Sequence, residues 1–179
     1  MIARPNLPSS DRIRLRPLSS ADLRAQVHGQ ESEIVRWLSG KVNTEEEHRK
    51  ALEQAEDDWT RGAHKFDLGI EIIETGKLAG MVGLQSQMSY LQPGQVNVTY
   101  ALYAAYRGQG LASEAVRLAM CLGGDVFAAT EFVIRTHPEN EHSAAVAHRL
   151  GYRLSYRTDD SEGVLDWYVT PCCRPVSDI

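Results

Sequence analysis

Residues 103–115 read Tyr103-Ala-Ala-Tyr-Arg-Gly-Gln-Gly-Leu-Ala-Ser-Glu-Ala115, with two glycines one residue apart behind Arg107 and ahead of an apolar helical repeat. Glycine tolerates positive φ and lets backbone approach a ligand closely. A helix N-terminus leaves backbone N–H groups unpaired and carries partial positive charge. Gly108 and Gly110 would let an anion reach those groups, and Arg107 adds a fixed charge at the mouth. The stretch therefore has the parts to grip a diphosphate without a metal. A P-loop needs Lys-Ser/Thr after its last glycine, and Leu111-Ala112 stands there instead. A Rossmann fingerprint belongs beside the first strand of a chain, whereas about four strands precede this one. An incidental strand-to-helix connection is the remaining alternative.

The surroundings supply those strands. Arg12 to Pro17 alternates polar and apolar residues, as do Phe66 to Ile72, Leu78 to Leu84 and Val96 to Leu102, the period of a sheet. Glu74 to Lys77 and Gln92 to Gln95 read as turns. Ser19 or Ser20 can cap a short helix, and Ile34 to Leu38 suggests another that ends at Gly40. Thr44-Glu-Glu-Glu47 matches a capping box ahead of Leu52, Ala55 and Trp59 at helical spacing. Beyond the glycines, Leu111, Ala115, Leu118 and Leu122 share a helical face that Gly123-Gly124 is expected to stop. Glu131 to Thr136 is a strand, Asn140 opens a helix closed by Gly151, and Arg153 to Arg157 with Val164 to Val169 forms a last hairpin.

At 179 residues the chain suits one domain with a sizeable core. A formal net charge of −5, without a basic cluster, speaks against nucleic acid as a partner. The first thirty residues hold scattered arginines and no apolar run, so no signal peptide is expected. The uncharged stretch from Leu78 to Tyr106 is broken by polar residues, Pro93 and Gly94, which excludes a membrane span. Cys121, Cys172 and Cys173 form neither a disulfide framework nor a zinc spacing, so the default compartment is the reducing cytoplasm.

Read together, these motifs resemble a known family. Arg107-Gly-Gln-Gly-Leu-Ala112 is similar to the Arg/Gln-x-x-Gly-x-Gly/Ala signature of the GNAT superfamily of acyl-CoA-dependent N-acetyltransferases. Pro138-Glu-Asn-Glu-His-Ser143, followed by Arg149-Leu-Gly-Tyr152, resembles that family's Asn-x-x-Ser ahead of Leu-Gly-Phe. Ile13-Arg-Leu-Arg-Pro-Leu18 with Asp22-Leu23, and Glu33-Ile-Val-Arg-Trp-Leu38, resemble its RimJ/RimL-like branch. The similarity runs from about residue 11 to residue 170, and the whole chain, 1–179, is expected to form one such domain. The resemblance implies an α/β GNAT fold, a mixed seven-stranded sheet splayed between strands 4 and 5 with flanking helices. Acetyl-CoA would be wedged in the opening, and no metal is implied. Backbone near Leu102 and Tyr103 would pair with the pantetheine arm as an added strand does. The amides of Gly108, Gln109, Gly110, Leu111, Ala112 and Ser113, with Arg107 beside them, would hold the pyrophosphate. Asn140 would face the cofactor from the other side.

Moving an acetyl group from a thioester to an amine needs a neutral amine, a positioned carbonyl and a stabilised leaving thiolate. Orientation supplies much of this, and proton transfers add about 10²–10⁴-fold. Many family members carry a tyrosine acid five residues before the Leu-Gly-Phe aromatic. Ala147 stands there, so that acid is absent. The serine of Asn-x-x-Ser makes Ser143 the candidate proton donor, directly or through water; as a first-turn residue it can instead simply bond backbone. On the fourth strand, where relatives often carry a glutamate, Asn97 and Thr99 cannot act as bases. Glu71 and Asp67 share a face of the second strand, and Glu71 is the candidate base, with a relayed water as rival. Tyr90, Leu91 and Pro93, with Trp37 and the helix from Thr44, are expected to wall the acceptor pocket.

The activity implied is direct, ternary-complex acetylation of a primary amine, either a protein N-terminus or a small molecule. No cysteine falls in the motifs, so no covalent acetyl-enzyme is expected, and Cys172-Cys173 is read as inert. The alternative is a non-catalytic acyl-CoA-binding or regulatory module on the same fold. A monomer or a homodimer through the edge of the last hairpin is expected, with no nucleic-acid or membrane partner.

Overall fold

The computed structural model describes residues 6–161 and 163–172, so Cys173 lies outside the described residues. Seven strands form one mixed sheet: β1 Ile13–Pro17, β2 Lys65–Ile72, β3 Leu78–Ser86, β4 Gln95–Leu102, β5 Glu131–Thr136, β6 Arg153–Asp160 and β7 Gly163–Pro171. Their order is β1-β2-β3-β4-β5-β7-β6, and the β4–β5 pair alone is parallel. Four longer helices flank the sheet: α1 Leu23–His28, α2 Glu45–Arg61, α3 Leu111–Phe127 and α4 Glu141–Arg149. A short turn of helix, Ser32–Ile34, runs into a wider π-helical turn, Val35–Ser39, which Gly40 ends at φ 69°.

The period-2 pattern read from the sequence separates two cores. Ile13, Leu15, Leu68, Ile70, Val82, Leu84, Val96 and Val98 face α3 and meet Leu111, Ala115, Val116, Ala119 and Leu122. On the opposite face a smaller cluster, Leu18, Leu52, Ala55 and Leu78, holds α2. The capping box is present: Thr44 Oγ1 accepts from the Glu47 N–H at 3.2 Å, and Glu47 Oε2 accepts from the Thr44 N–H at 2.7 Å.

One expectation is corrected. Gly123-Gly124 does not stop α3, which continues to Phe127 and ends on Ala128 at φ 50°. A Cβ on Gly123 would meet the Phe132 ring at 2.8 Å. The glycine therefore lets the helix lie close against β5, where a side chain would push it off. Truncating the fully buried Phe132 would cost roughly 3–5 kcal/mol. Among the described residues, no helix is long and apolar enough to cross a membrane.

Candidate active site

β4 and β5 pair only through Gln95↔Glu131, Val96↔Phe132 and Asn97↔Val133. Beyond that point the strands part, and a cleft of about 520 Å³ opens between Val98–Leu102 and Ile134–Thr136. That size falls within the usual range for a small-molecule site. The Tyr103 N–H donates to Ala79 O at 2.9 Å, and β3 and β4 stay in register from there. Ladder alternation then turns the backbone of Thr99, Ala101 and Tyr103 toward β3, and that of Val98, Tyr100 and Leu102 toward the cleft. This divides the two residues expected to meet a pantetheine arm. Leu102 faces the opening, with its carbonyl taken by Arg107 Nε at 2.8 Å. Tyr103 does not: its carbonyl accepts from the Tyr106 N–H, and its side chain turns to the other face of the sheet.

At one end of the cleft the chain turns into α3. Gly108 at φ 74° and Gly110 at φ 78° occupy the left-handed region, which explains both glycines physically. A Cβ on Gly108 would touch nothing within 4 Å, so the space above the turn is open. The Glu114 N–H donates to Gly110 O, but those of Leu111, Ala112 and Ser113 have no protein acceptor among the described residues. The result is a cradle of free N–H groups at the positive end of a helix.

Two arginines missed in the sequence brace this turn. Arg12, on the β1 side, donates to Gln109 O at 3.0 Å and pairs with Glu114. Burial alone would raise the Glu114 carboxyl, but hydrogen bonds from Ser10 and Arg12 hold it below its ordinary range. Arg149, at the end of α4, donates to Ser113 Oγ at 3.1 Å and lines the cleft. Arg107 also lines the cleft, but its guanidinium leans back on Glu31, 3.1 Å away.

Across the cleft, Asn140 caps α4 by accepting from the Ser143 N–H at 3.1 Å. Ser143 Oγ lies 2.8 Å from Tyr100 Oη, a partner that the sequence reading overlooked. Burial pushes the Tyr100 phenol up to about 12, outweighing the hydrogen bond with Ser143, so it stays protonated at neutral pH. Both residues line the cleft. Next along β4, Thr99 also lines it and stands over Gly83. A Cβ there would sit 2.4 Å from Thr99 Oγ1 and 2.8 Å from Asp67 Oδ1. The missing side chain at Gly83 thus lets a carboxylate from β2 approach a hydroxyl on β4.

Glu71, the expected base, lies away from the cleft. It is 6% exposed and does not line the cleft. Arg14 Nε and Arg16 Nε donate to its two oxygens at 2.7 and 2.6 Å, so both are engaged in holding β1 to β2. The wall residues also divide. Trp37 lines the cleft, and α2 contributes His48, Ala51, Leu52 and Ala55 to a neighbouring cavity. Tyr90 instead lies under Arg135, 3.6 Å from the ring centre, outside both spaces. Among the described residues no His/Cys/Asp/Glu group is placed to hold a metal ion.

Comparison with known proteins agrees with this geometry. The family model for an acetyltransferase (GNAT) domain matches residues 12–153. No curated protein matches the chain. A Salmonella typhimurium acetyltransferase that modifies the N-terminal serine of ribosomal protein L7/L12 superposes with a TM-score of 0.78. It is 20% identical, over 92% of this chain and 97% of that one. The microcin C7 self-immunity acetyltransferase, solved with acetyl-CoA and AMP, gives 0.77 at 20% identity, over 90% and 93%. A ribosomal-protein-S5-alanine acetyltransferase from Vibrio fischeri gives 0.79 at 16%, over 96% and 100%. At these identities the likeness is one of fold.

Proposed function

The chain belongs to the GNAT acetyltransferase family, and from that premise we propose that it transfers an acetyl group from acetyl-CoA to a primary amine as a single domain. The observation that carries this reading is the cradle of free N–H groups at Leu111–Ser113, under two glycines at positive φ, opening onto the unpaired edge of β4. Those residues fit a phosphopantetheine: the cradle and Arg149 suit a pyrophosphate, and the cleft-facing backbone of Val98 to Leu102 suits an extended amide-bearing arm. Acetyl-CoA, when bound, supplies the thioester carbonyl and a thiolate leaving group. Arg107 fixes the end of β4 by its bond to Leu102 O, and Asn140 sets the start of α4 and with it Ser143.

Ser143 gives its hydroxyl proton to the departing sulfur and recovers one from water as products leave. The neutral Tyr100 phenol keeps its proton and donates a hydrogen bond to Ser143 Oγ. Asp67, whose Oδ2 pairs with Lys65 Nζ at 2.9 Å, takes the proton lost by the attacking nitrogen on Oδ1, the oxygen beside Gly83, with Thr99 standing between it and the cleft. The C–N bond forms as the C–S bond breaks, and each proton has a place to go.

Thermal stabilisation by acetyl-CoA, with NADH and ATP as controls, tests the reading. Selective stabilisation of roughly 2–4 kcal/mol at saturating ligand is expected, followed by release of CoA thiol when amines are added. No shift with acetyl-CoA would overturn the assignment. A shift with no thiol release from a broad amine panel would reduce the protein to an acyl-CoA-binding module.

A further inference from the structure

A second cavity, of about 180 Å³, lies on the face of the sheet away from α3. α1, the 32–39 turn and α2 form its walls, and Asp67, Met81, Ala101 and Tyr103 line it from the sheet side. Ile34, Leu38 and Ala101 border both this cavity and the cleft, so the two spaces adjoin.

Three polar side-chain atoms end at buried positions here without a hydrogen-bond partner: Gln26 Nε2, His48 Nε2 and Tyr103 Oη. Gln26 is only 8% exposed. An unmet buried polar group costs about 1–3 kcal/mol, so three around one cavity mark a place where something meets them. Gly29 makes the arrangement possible. A Cβ on it would fall 2.1 Å from the Tyr103 ring, so any side chain would expel the phenol. Gln30 holds the wall by donating to Asn43 O at 2.9 Å.

The lining also carries a sign. It includes Asp67 and neither lysine nor arginine. His48 is pulled below its ordinary range by burial, against the nearby Glu47, and is neutral at neutral pH. Burial, with Asp22 nearby, pushes the Tyr103 phenol up, so it too is neutral. Lys65 Nζ, outside the lining, pairs with Asp67 Oδ2 at 2.9 Å and is already taken, so an anion in the cavity would lie beside a carboxylate with no cation facing it. A neutral carboxamide can accept from Gln26 Nε2 and the Tyr103 hydroxyl through its oxygen at no such cost, and neutral His48 Nε2 donates or accepts according to its tautomer.

We propose that this cavity is the head-group site for the amine acceptor, a small molecule with the amine at one end and a neutral hydrogen-bond acceptor, such as a carboxamide, at the other. The proposal rests on the acetyltransferase reading for the amine end, which would lie toward Asp67 and Ala101, where the cavity meets the cleft. The volume equals that of roughly six waters in the liquid. That is room for a compact head group.

The test titrates linear amino-amides of two to six carbons, the matching amino acids and alkylamines, and a hexapeptide into the protein, following the His48 ring signals by NMR. Acetyl-CoA binding is measured separately by calorimetry. Amino-amides should shift His48 with at least tenfold tighter dissociation constants than the acids or alkylamines. Gln26→Leu and the isosteric Tyr103→Phe should each weaken them about tenfold while leaving acetyl-CoA affinity unchanged. Equal binding of alkylamines, a response to the peptide alone, or no response in protein that binds acetyl-CoA would each overturn the proposal. Amide binding without acetyl-CoA binding would instead remove the acetyltransferase reading and leave the cavity assigned.

Discussion

The glycine turn at 107–113 and the proton-handling corner opposite it share one cleft, yet they are made in opposite ways. The turn is contiguous and works through backbone: two positive-φ glycines, three free N–H groups and a helix end. The corner is assembled from side chains of β2, β4 and α4, brought together by strand register across Gly83 and by the contact of Tyr100 with Ser143. A backbone site has no side chain to delete, so it fails when filled. A side-chain site fails when its chemistry is removed, with its shape intact.

Filling the turn should give the largest effect. In Gly110→Trp an indole would enter space where a Cβ meets only Arg12 Nη2, at 3.9 Å, so little resists it except the ligand. Acetyl-CoA affinity should fall by at least about 100-fold, roughly 2.7 kcal/mol. The left-handed conformation costs an L-residue only about 1–2 kcal/mol, so the fold should survive. Calorimetric titration beside a thermal melt separates the two. Near-normal affinity in a folded variant would show that the turn binds nothing and would erase the contrast.

Removing chemistry from the corner should come next. Asp67→Asn should lower kcat by about 10–100-fold, with acetyl-CoA affinity unchanged. Glu71→Gln, on the same strand, should leave kcat within about twofold. It should cost stability instead, on the order of 1–3 kcal/mol, because Arg16 and the more exposed Arg14 lose the carboxylate between them. Denaturant unfolding and steady-state rates on both variants read the two effects. The reverse pattern would restore Glu71 as the base.

The same contrast governs what was legible in the sequence. Period-2 strands, the Thr44–Glu47 capping box and Gly108–Gly110 are local, so spacing alone placed them. The β4–β5 opening was reached through the family resemblance, and the strand pairings bear out that fold. Glu71 and Asp67 lie four residues apart on one strand and look equivalent in sequence. Only the register that sets Arg14 opposite Glu71 and Gly83 opposite Asp67 tells them apart. Tyr100 sat in a run read as an alternating strand, and nothing local pointed it at Ser143, 43 positions away. Gly123-Gly124 read as a stop because close packing against Phe132 is a tertiary fact.

The smallest effect sharpens the comparison by pH. The Tyr100 phenol, with a pKa near 12, favours the neutral form in the folded state, whereas an unfolded tyrosine ionises near 10. The folded state therefore holds its proton more tightly. That stability is complete below about pH 10 and is lost as pH rises toward 12, at up to roughly 1.4 kcal/mol per pH unit. Burial also raises Tyr103 and Tyr152, so alkaline unfolding should be steep in the wild type. Tyr100→Phe should remove one proton's share of that slope between pH 10 and 11, measured by urea midpoints at fixed pH. The turn relies on backbone amides, which do not ionise there, so acetyl-CoA affinity should stay flat over the range in which the folded state holds. An unchanged slope in Tyr100→Phe would mean that the phenol ionises freely in the folded protein, and the Tyr100–Ser143 pair would lose its neutral donor.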